Sequence, residues 1–151
     1  DIDDHAFVAI DYANAVRASF TLNMFCPDFA EELVVVGDAG RLKAEEYHDI
    51  HRSGSASASL TLRLGENGVS KTTDLNYPRA IEQSGHHGST YFEHIALMDR
   101  LEGKAVDSAT PLQGMWAMVV ASAAQQSLAT GQPVDVDTFI ADNDLASLLN
   151  Q

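Results

Sequence analysis

A chain of 151 residues fits a single domain able to bury roughly 70% of its unfolded surface, so it needs neither metal nor disulfide to hold a core. Its 22 acidic and 9 basic side chains leave a formal charge of −13, with Lys43, Lys71 and Lys104 as the lysines, which excludes nucleic acid and anionic membranes as partners because both demand basic patches. The single cysteine, Cys26, cannot form an internal disulfide, and no apolar run reaches the roughly 18 residues of a membrane span, so a cytoplasmic protein is expected.

The chain opens with Asp1-Ile2-Asp3-Asp4-His5, without an initiator methionine or a signal-peptide pattern, and is read as a piece of something longer. From Ala6 to Tyr12 and from Val16 to Leu22 the residues alternate. Val16, Ala18, Phe20 and Leu22 face one way and Arg17, Ser19 and Thr21 the other, which predicts strands with one wet face. Ala13-Asn14-Ala15 between them is short, and asparagine tolerates the left-handed backbone of a tight hairpin. Beyond Pro27, Leu33-Val34-Val35-Val36 is a continuous β-prone run suited to a strand covered on both faces. Gly37-Asp38-Ala39-Gly40 then turns the chain into the alternating Arg41-Leu42-Lys43-Ala44-Glu45. Ser53 to Ser59 reads as a connection. Leu60, Leu62 and Leu64 alternate with Thr61 and Arg63, and Glu66-Asn67-Gly68 supplies a strong hairpin signal before a return strand from Val69 to Leu75, ended by Pro78.

Helical patterns follow. Thr90 and Glu93 have the spacing of a capping box, so Thr90 is the predicted N-cap of a helix that carries Tyr91, Ile95, Met98 and Leu101 on one apolar arc and closes at Gly103. Thr110-Pro111-Leu112-Gln113 is a second capping box with proline at the first helical position. It opens a helix of about 20 residues whose core stripe is Leu112, Met115, Trp116, Val119, Val120 and Ala123 and whose end is near Gly131. Pro133 to Val136 reads as a short strand, and Asp137 to Leu149 as one or two weak helical turns. The architecture that buries these faces is α+β: a two-layer arrangement, a largely antiparallel or mixed open sheet with helices packed on one face, as one domain over residues 1–151.

The loop Gly85-His86-His87-Gly88-Ser89 is the strongest candidate site. Its histidines are delivered beside the free N–H groups of a helix start, where a ring nitrogen can hydrogen-bond a substrate hydroxyl or carry a proton. Against this stands a loop held only by its own backbone bonds. His86, His87 and Tyr91 are therefore the candidate substrate-binding residues, with Tyr91 alternatively a core or interface residue. His94, inside the apolar arc, reads as a hydrogen-bonded core residue. Glu93 beside the histidines, and His48 with His51, do not match a known zinc spacing, and no metal site is assigned. Cys26 reads as a buried or idle thiol, and Asp28 and Phe29 as part of a surface loop.

The run from Asp4 to Leu22, the segment Val36-Gly37-Asp38-Ala39-Gly40-Arg41-Leu42, the Gly85–Ser89 loop with its helix, and the alanine-rich helix ending Ser127-Leu128-Ala129-Thr130-Gly131-Gln132-Pro133-Val134 together resemble the C-terminal half of the Gfo/Idh/MocA family of glucose-fructose oxidoreductase and inositol dehydrogenase relatives. The resemblance implies an NAD- or NADP-dependent oxidoreductase of sugars, polyols or similar hydroxy compounds. It also implies an N-terminal Rossmann domain that binds the cofactor, and a homo-oligomer formed through the open sheet. The chain has no G-x-G-x-x-G and no Glu-Lys-Pro, the motif whose lysine serves catalysis in the family, so neither cofactor-binding nor catalytic residues are assigned within it. Asp1 and His5 reproduce the spacing of the family's D-x-x-x-H pair but precede a predicted strand rather than lying on a helix, and that role is not transferred to them. The expectation is a substrate-binding and oligomerising domain, inactive alone; the alternative is a non-enzymatic interaction module, which Phe7 and Ala9 on the supposedly wet side of the first strand favour.

Overall fold

The structure, a computed structural model, describes residues 4–26, 29–48, 56–65 and 68–149. The chain forms two compact units, Asp1–Ile95 and Ala96–Gln151, the first carrying the strands and the second most of the helix.

In the first unit β1 (His5–Asp11) and β2 (Arg17–Asn23) pair antiparallel, with Val8 opposite Phe20 and Ile10 opposite Ala18. The alternation is realised in β1: Ala6, Val8 and Ile10 are half-buried, whereas Phe7 is 82% exposed on the other side. At the hairpin it is Ala15, not Asn14, that takes the left-handed conformation (φ 65°). Asn14 contributes through its side chain, whose Oδ1 accepts from the Val16 N–H at 3.2 Å, so the asparagine shapes the turn by hydrogen bonding.

Strands β3 (Phe29–Gly37), β4 (Gly40–His48), β5 (Ala56–Leu64) and β6 (Ser70–Asp74) form a second antiparallel sheet in that order. The predicted strands are thus present as two sheets, of two and four strands, within an α+β chain. Register assigns the faces. Val35, Leu42 and Leu62 lie in line on one side, as do Leu33, Ala44 and Leu60. The opposite side carries Val34 and Val36 on β3 and polar groups beyond them: the Lys43 ammonium lies 2.7 Å from Glu32 and 3.1 Å from Glu45, and the hydroxyls of Thr61 and Thr72 are 3.0 Å apart. The run Leu33 to Val36, expected to be covered on both faces, is exposed on both; β-branched side chains favour a strand whether or not anything lies over it. Glu66 and Asn67 of the predicted third turn lie outside the described residues, as do Asp1, Asp28 and His51.

Pro78 does more than end a strand. Its carbonyl accepts from the Ile81 N–H at 2.8 Å and opens α1 (Arg79–Glu82). Helix α2 (Ser89–Leu101) closes through Gly103 (φ 78°), whose N–H reaches the Arg100 carbonyl while that of Lys104 reaches Asp99, a Schellman arrangement. The predicted apolar arc of α2 is exposed, and His94 with it, so His94 is not a core residue.

In the second unit α3 (Pro111–Thr130) starts at the predicted capping box: the Thr110 hydroxyl accepts from the Gln113 N–H at 3.2 Å, and the Gln113 side chain accepts from the Thr110 N–H at 2.8 Å. It ends at the left-handed Gly131. Val119 and Ala123 of its stripe are buried with Ile140 of α4 (Val136–Asp142), whereas Trp116 is exposed. No strand forms at residues 133–136. Asp135 instead caps α4, accepting from the N–H and the hydroxyl of Thr138, both at 2.8 Å, and these bonds hold its carboxyl below the ordinary aspartate range. Helix α5 (Ala146–Leu149) follows. Among the described residues no helix is long and apolar enough to cross a membrane.

Candidate functional site

The histidine loop is a left-handed turn. Gly85, His86, His87 and Gly88 have successive φ angles of 110°, 45°, 51° and 97°, and the Gly88 N–H donates to the Gly85 carbonyl at 2.9 Å. Glycine enters this region freely. Each histidine there costs about 1–2 kcal/mol, although histidine is among the residues that visit it most. The turn is packed directly onto its surroundings: a Cβ on Gly88 would lie 2.7 Å from Ile81 Cγ2 of α1, and one on Gly85 3.0 Å from the Thr90 hydroxyl. Thr90 is thus inside α2, which begins at Ser89, and serves the loop by lying against Gly85 rather than as the predicted N-cap.

The turn sends its two histidines apart. His86 is exposed. The His87 side chain is only 15% exposed, and its Nε2 lies 3.4 Å from Oε1 of Glu46, itself 20% exposed; both atoms are shielded from solvent. Glu46 comes from β4, where the register aligns it with Ala58 of β5 on the face that carries Leu42, Ala44, Leu60 and Leu62. Leu75 joins them through its N–H, which donates to the Ala58 carbonyl at 2.8 Å.

His87 and Glu46 border a cavity of about 130 Å³, roomy enough for several waters. Tyr77 and Phe92, with ring centroids 4.9 Å apart at 56°, form its aromatic wall, and Ser89 and Glu82 complete the polar part. Among the described residues the half-buried Glu82 carboxylate makes no hydrogen bond or ion pair. Of the predicted site residues, then, His87 lines the cavity, while His86 and Tyr91 do not; the Tyr91 ring stands edge-on to Phe92, centroids 5.3 Å apart. Sequence reading missed Glu46, Glu82, Tyr77 and Phe92. A signal for Glu46 existed: continuing the Leu42, Ala44 alternation by one step puts a carboxylate on the apolar side.

Residues 1–136 match the family model described as "Oxidoreductase family, C-terminal alpha/beta domain", GFO_IDH_MocA_C. The chain belongs to this family. No curated protein matches it. The match takes in every residue of the cavity, and it bears out the Gfo/Idh/MocA resemblance read from the glycine-histidine loop and its flanking segments.

A family of oxidoreductases implies a redox cofactor, and the described part of this chain does not fit a dinucleotide. Its strand pairs are all antiparallel, and none of its strands leads through a glycine-rich turn into a helix and on to a parallel strand. Cys26 is exposed, and among the described residues no three metal-ligating side chains converge.

Proposed function

We propose that this chain is the C-terminal substrate-binding and subunit-interface domain of a cytoplasmic NAD- or NADP-dependent oxidoreductase acting on a sugar, polyol or similar hydroxy compound, the nicotinamide being held by an N-terminal Rossmann domain. The observation that carries the reading is the His87–Glu46 pair at a small cavity, set there by a left-handed turn in a chain of this family. An imidazole beside a carboxylate offers a hydroxyl both a donor and an acceptor, while the rings of Tyr77 and Phe92 suit the C–H face of a carbohydrate. These residues bind and orient. Hydride chemistry comes from the cofactor when it is bound in the other domain.

The test is turnover of a polyol and sugar panel by the natural full-length polypeptide with NAD and with NADP, repeated for His87→Ala. Loss of one hydrogen bond to the substrate hydroxyl, about 0.5–1.5 kcal/mol, lowers kcat/KM by about twofold to tenfold. Unchanged kcat/KM with assembly intact favours the alternative reading, an interaction module without a ligand site. Exposed apolar side chains motivate that alternative as well as the subunit-interface part of the first reading: Phe7 on β1, and Leu33 and Val36 on opposite faces of the edge strand β3. Light scattering of Val36→Glu, with a fall in oligomer mass expected, tests whether the open sheet joins subunits.

A further inference from the structure

We infer that the cavity selects by charge: it accepts a neutral or amino-bearing hydroxy compound and rejects the phosphorylated or carboxylated counterpart. The inference rests on the reading of this cavity as the substrate site. Among the described residues the charged side chains that line it are Glu46, Glu82 and His87, with no lysine or arginine, so even with the imidazole protonated this described wall carries net negative charge. The described cations of the neighbouring sheet lie on its other face or away from the cavity. Lys43 is on the opposite face, held by Glu32 and Glu45, and register puts Arg41 opposite Arg63 on that same face. Lys71 shares the cavity's face, opposite Leu62, but it is four residues from Leu75 along the chain, roughly 13 Å in extended backbone. Oxyanion ligands need such cations or a cluster of backbone N–H donors; α2 begins at Ser89 in this wall, but the charged side chains around it are carboxylate acceptors, which suit hydroxyl and ammonium donors. The Glu82 carboxylate, which bonds no other described residue, is the acceptor placed to take a substrate hydroxyl.

Unit like charges about 5 Å apart in a partly exposed site disfavour each other by roughly a hundredfold, less after screening, so a discrimination of about tenfold or more is expected. The experiment is calorimetric binding to the natural full-length protein of glucose, galactose and inositol, together with glucosamine, galactosamine, glucuronate, galacturonate and glucose 6-phosphate. Glu82→Gln and Glu46→Gln are measured alongside, with melting curves to confirm that each variant is folded. The expected result is that a neutral or amino member binds at least about tenfold more tightly than the uronate of the same skeleton, and that Glu82→Gln narrows the gap to about threefold. A uronate bound as tightly as its neutral parent, or a gap that neither substitution changes, overturns the charge selection while leaving the cavity a substrate site. Absence of binding by every compound removes the substrate-site reading itself, and the inference with it.

Discussion

Replacing Gly88 by alanine separates two demands that the histidine turn makes on the chain, left-handed backbone and close approach to α1. At Gly65 (φ 69°) an added Cβ meets nothing within 4 Å, so Gly65→Ala imposes the backbone demand alone, about 1–2 kcal/mol. At Gly88 (φ 97°) the same methyl would stand 2.7 Å from Ile81 Cγ2 and 3.3 Å from the Ile81 carbonyl oxygen. A branched side chain rooted in a short helix cannot swing away as a flexible chain end does, so overpacking adds about 1–3 kcal/mol, giving about 2–5 kcal/mol in all. Both glycines belong to the same compact unit, which makes their unfolding free energies comparable. Urea unfolding followed by circular dichroism gives the two values. A Gly88→Ala loss within about 0.5 kcal/mol of the Gly65→Ala loss would refute the claim that the turn is seated on Ile81. Because the turn carries His87, Gly88→Ala should also weaken substrate binding, whereas Gly65→Ala should not.

Gly114, inside α3 with a right-handed backbone and open space around it, should gain from alanine: Gly114→Ala is expected to add about 0.5–1 kcal/mol in urea unfolding. Thr110→Ala removes the hydroxyl that accepts from the Gln113 N–H and should cost about 1 kcal/mol, with α3 fraying from its start in hydrogen exchange. The depressed pKa of Asp135 means that its contribution to α4 is complete above the unfolded-state value, near pH 4, and is lost as pH falls through the lower folded-state value. Amide protection of Thr138 should therefore hold from about pH 7 to 5 and drop in stronger acid, and in Asp135→Asn that acid step should disappear. A double-mutant cycle of Glu46→Gln with His87→Ala should give a coupling of about 0.5–3 kcal/mol in stability, since the two facing atoms are 3.4 Å apart and shielded from solvent, and a coupling in substrate binding as well.

Much of the fold was legible because it is written in local chemistry. Period-two alternation marked β1, β2, β4 and β5, and the Thr110 and Gln113 side chains announced the start of α3 to the residue. Gly103 and Gly131 were recognisable as helix ends because a left-handed residue is needed at just those places. What failed depended on competition between neighbours or on long-range placement. Thr90 has capping-box spacing, but the left-handed turn before it delivers the chain already helical at Ser89, leaving Thr90 no cap to make. Residues 133–136 have strand-like composition, but the bonds offered by Thr138 let Asp135 start a helix first. The division of six strands into sheets of two and four is a matter of which edges pair, and side-chain alternation carries no information about that.

The site divides in the same way. The glycines flanking His86-His87 pointed to the loop, yet two adjacent histidines cannot be ranked from sequence, because the hand of the turn decides which of them points inward. In an extended loop they would alternate; in this left-handed turn they diverge, and His87 is directed to the sheet. The other half of the pair was one step beyond a correctly read strand. Leu42 and Ala44 define the apolar face of β4, and Glu46 continues it. A carboxylate in that position is stable only with a partner or with access to water, and here it has the imidazole on one side and the cavity on the other. A polar residue that breaks an apolar face is therefore a better guide to this site than the histidine pair alone, because it marks where the sheet expects something other than the hydrocarbon of its own helices.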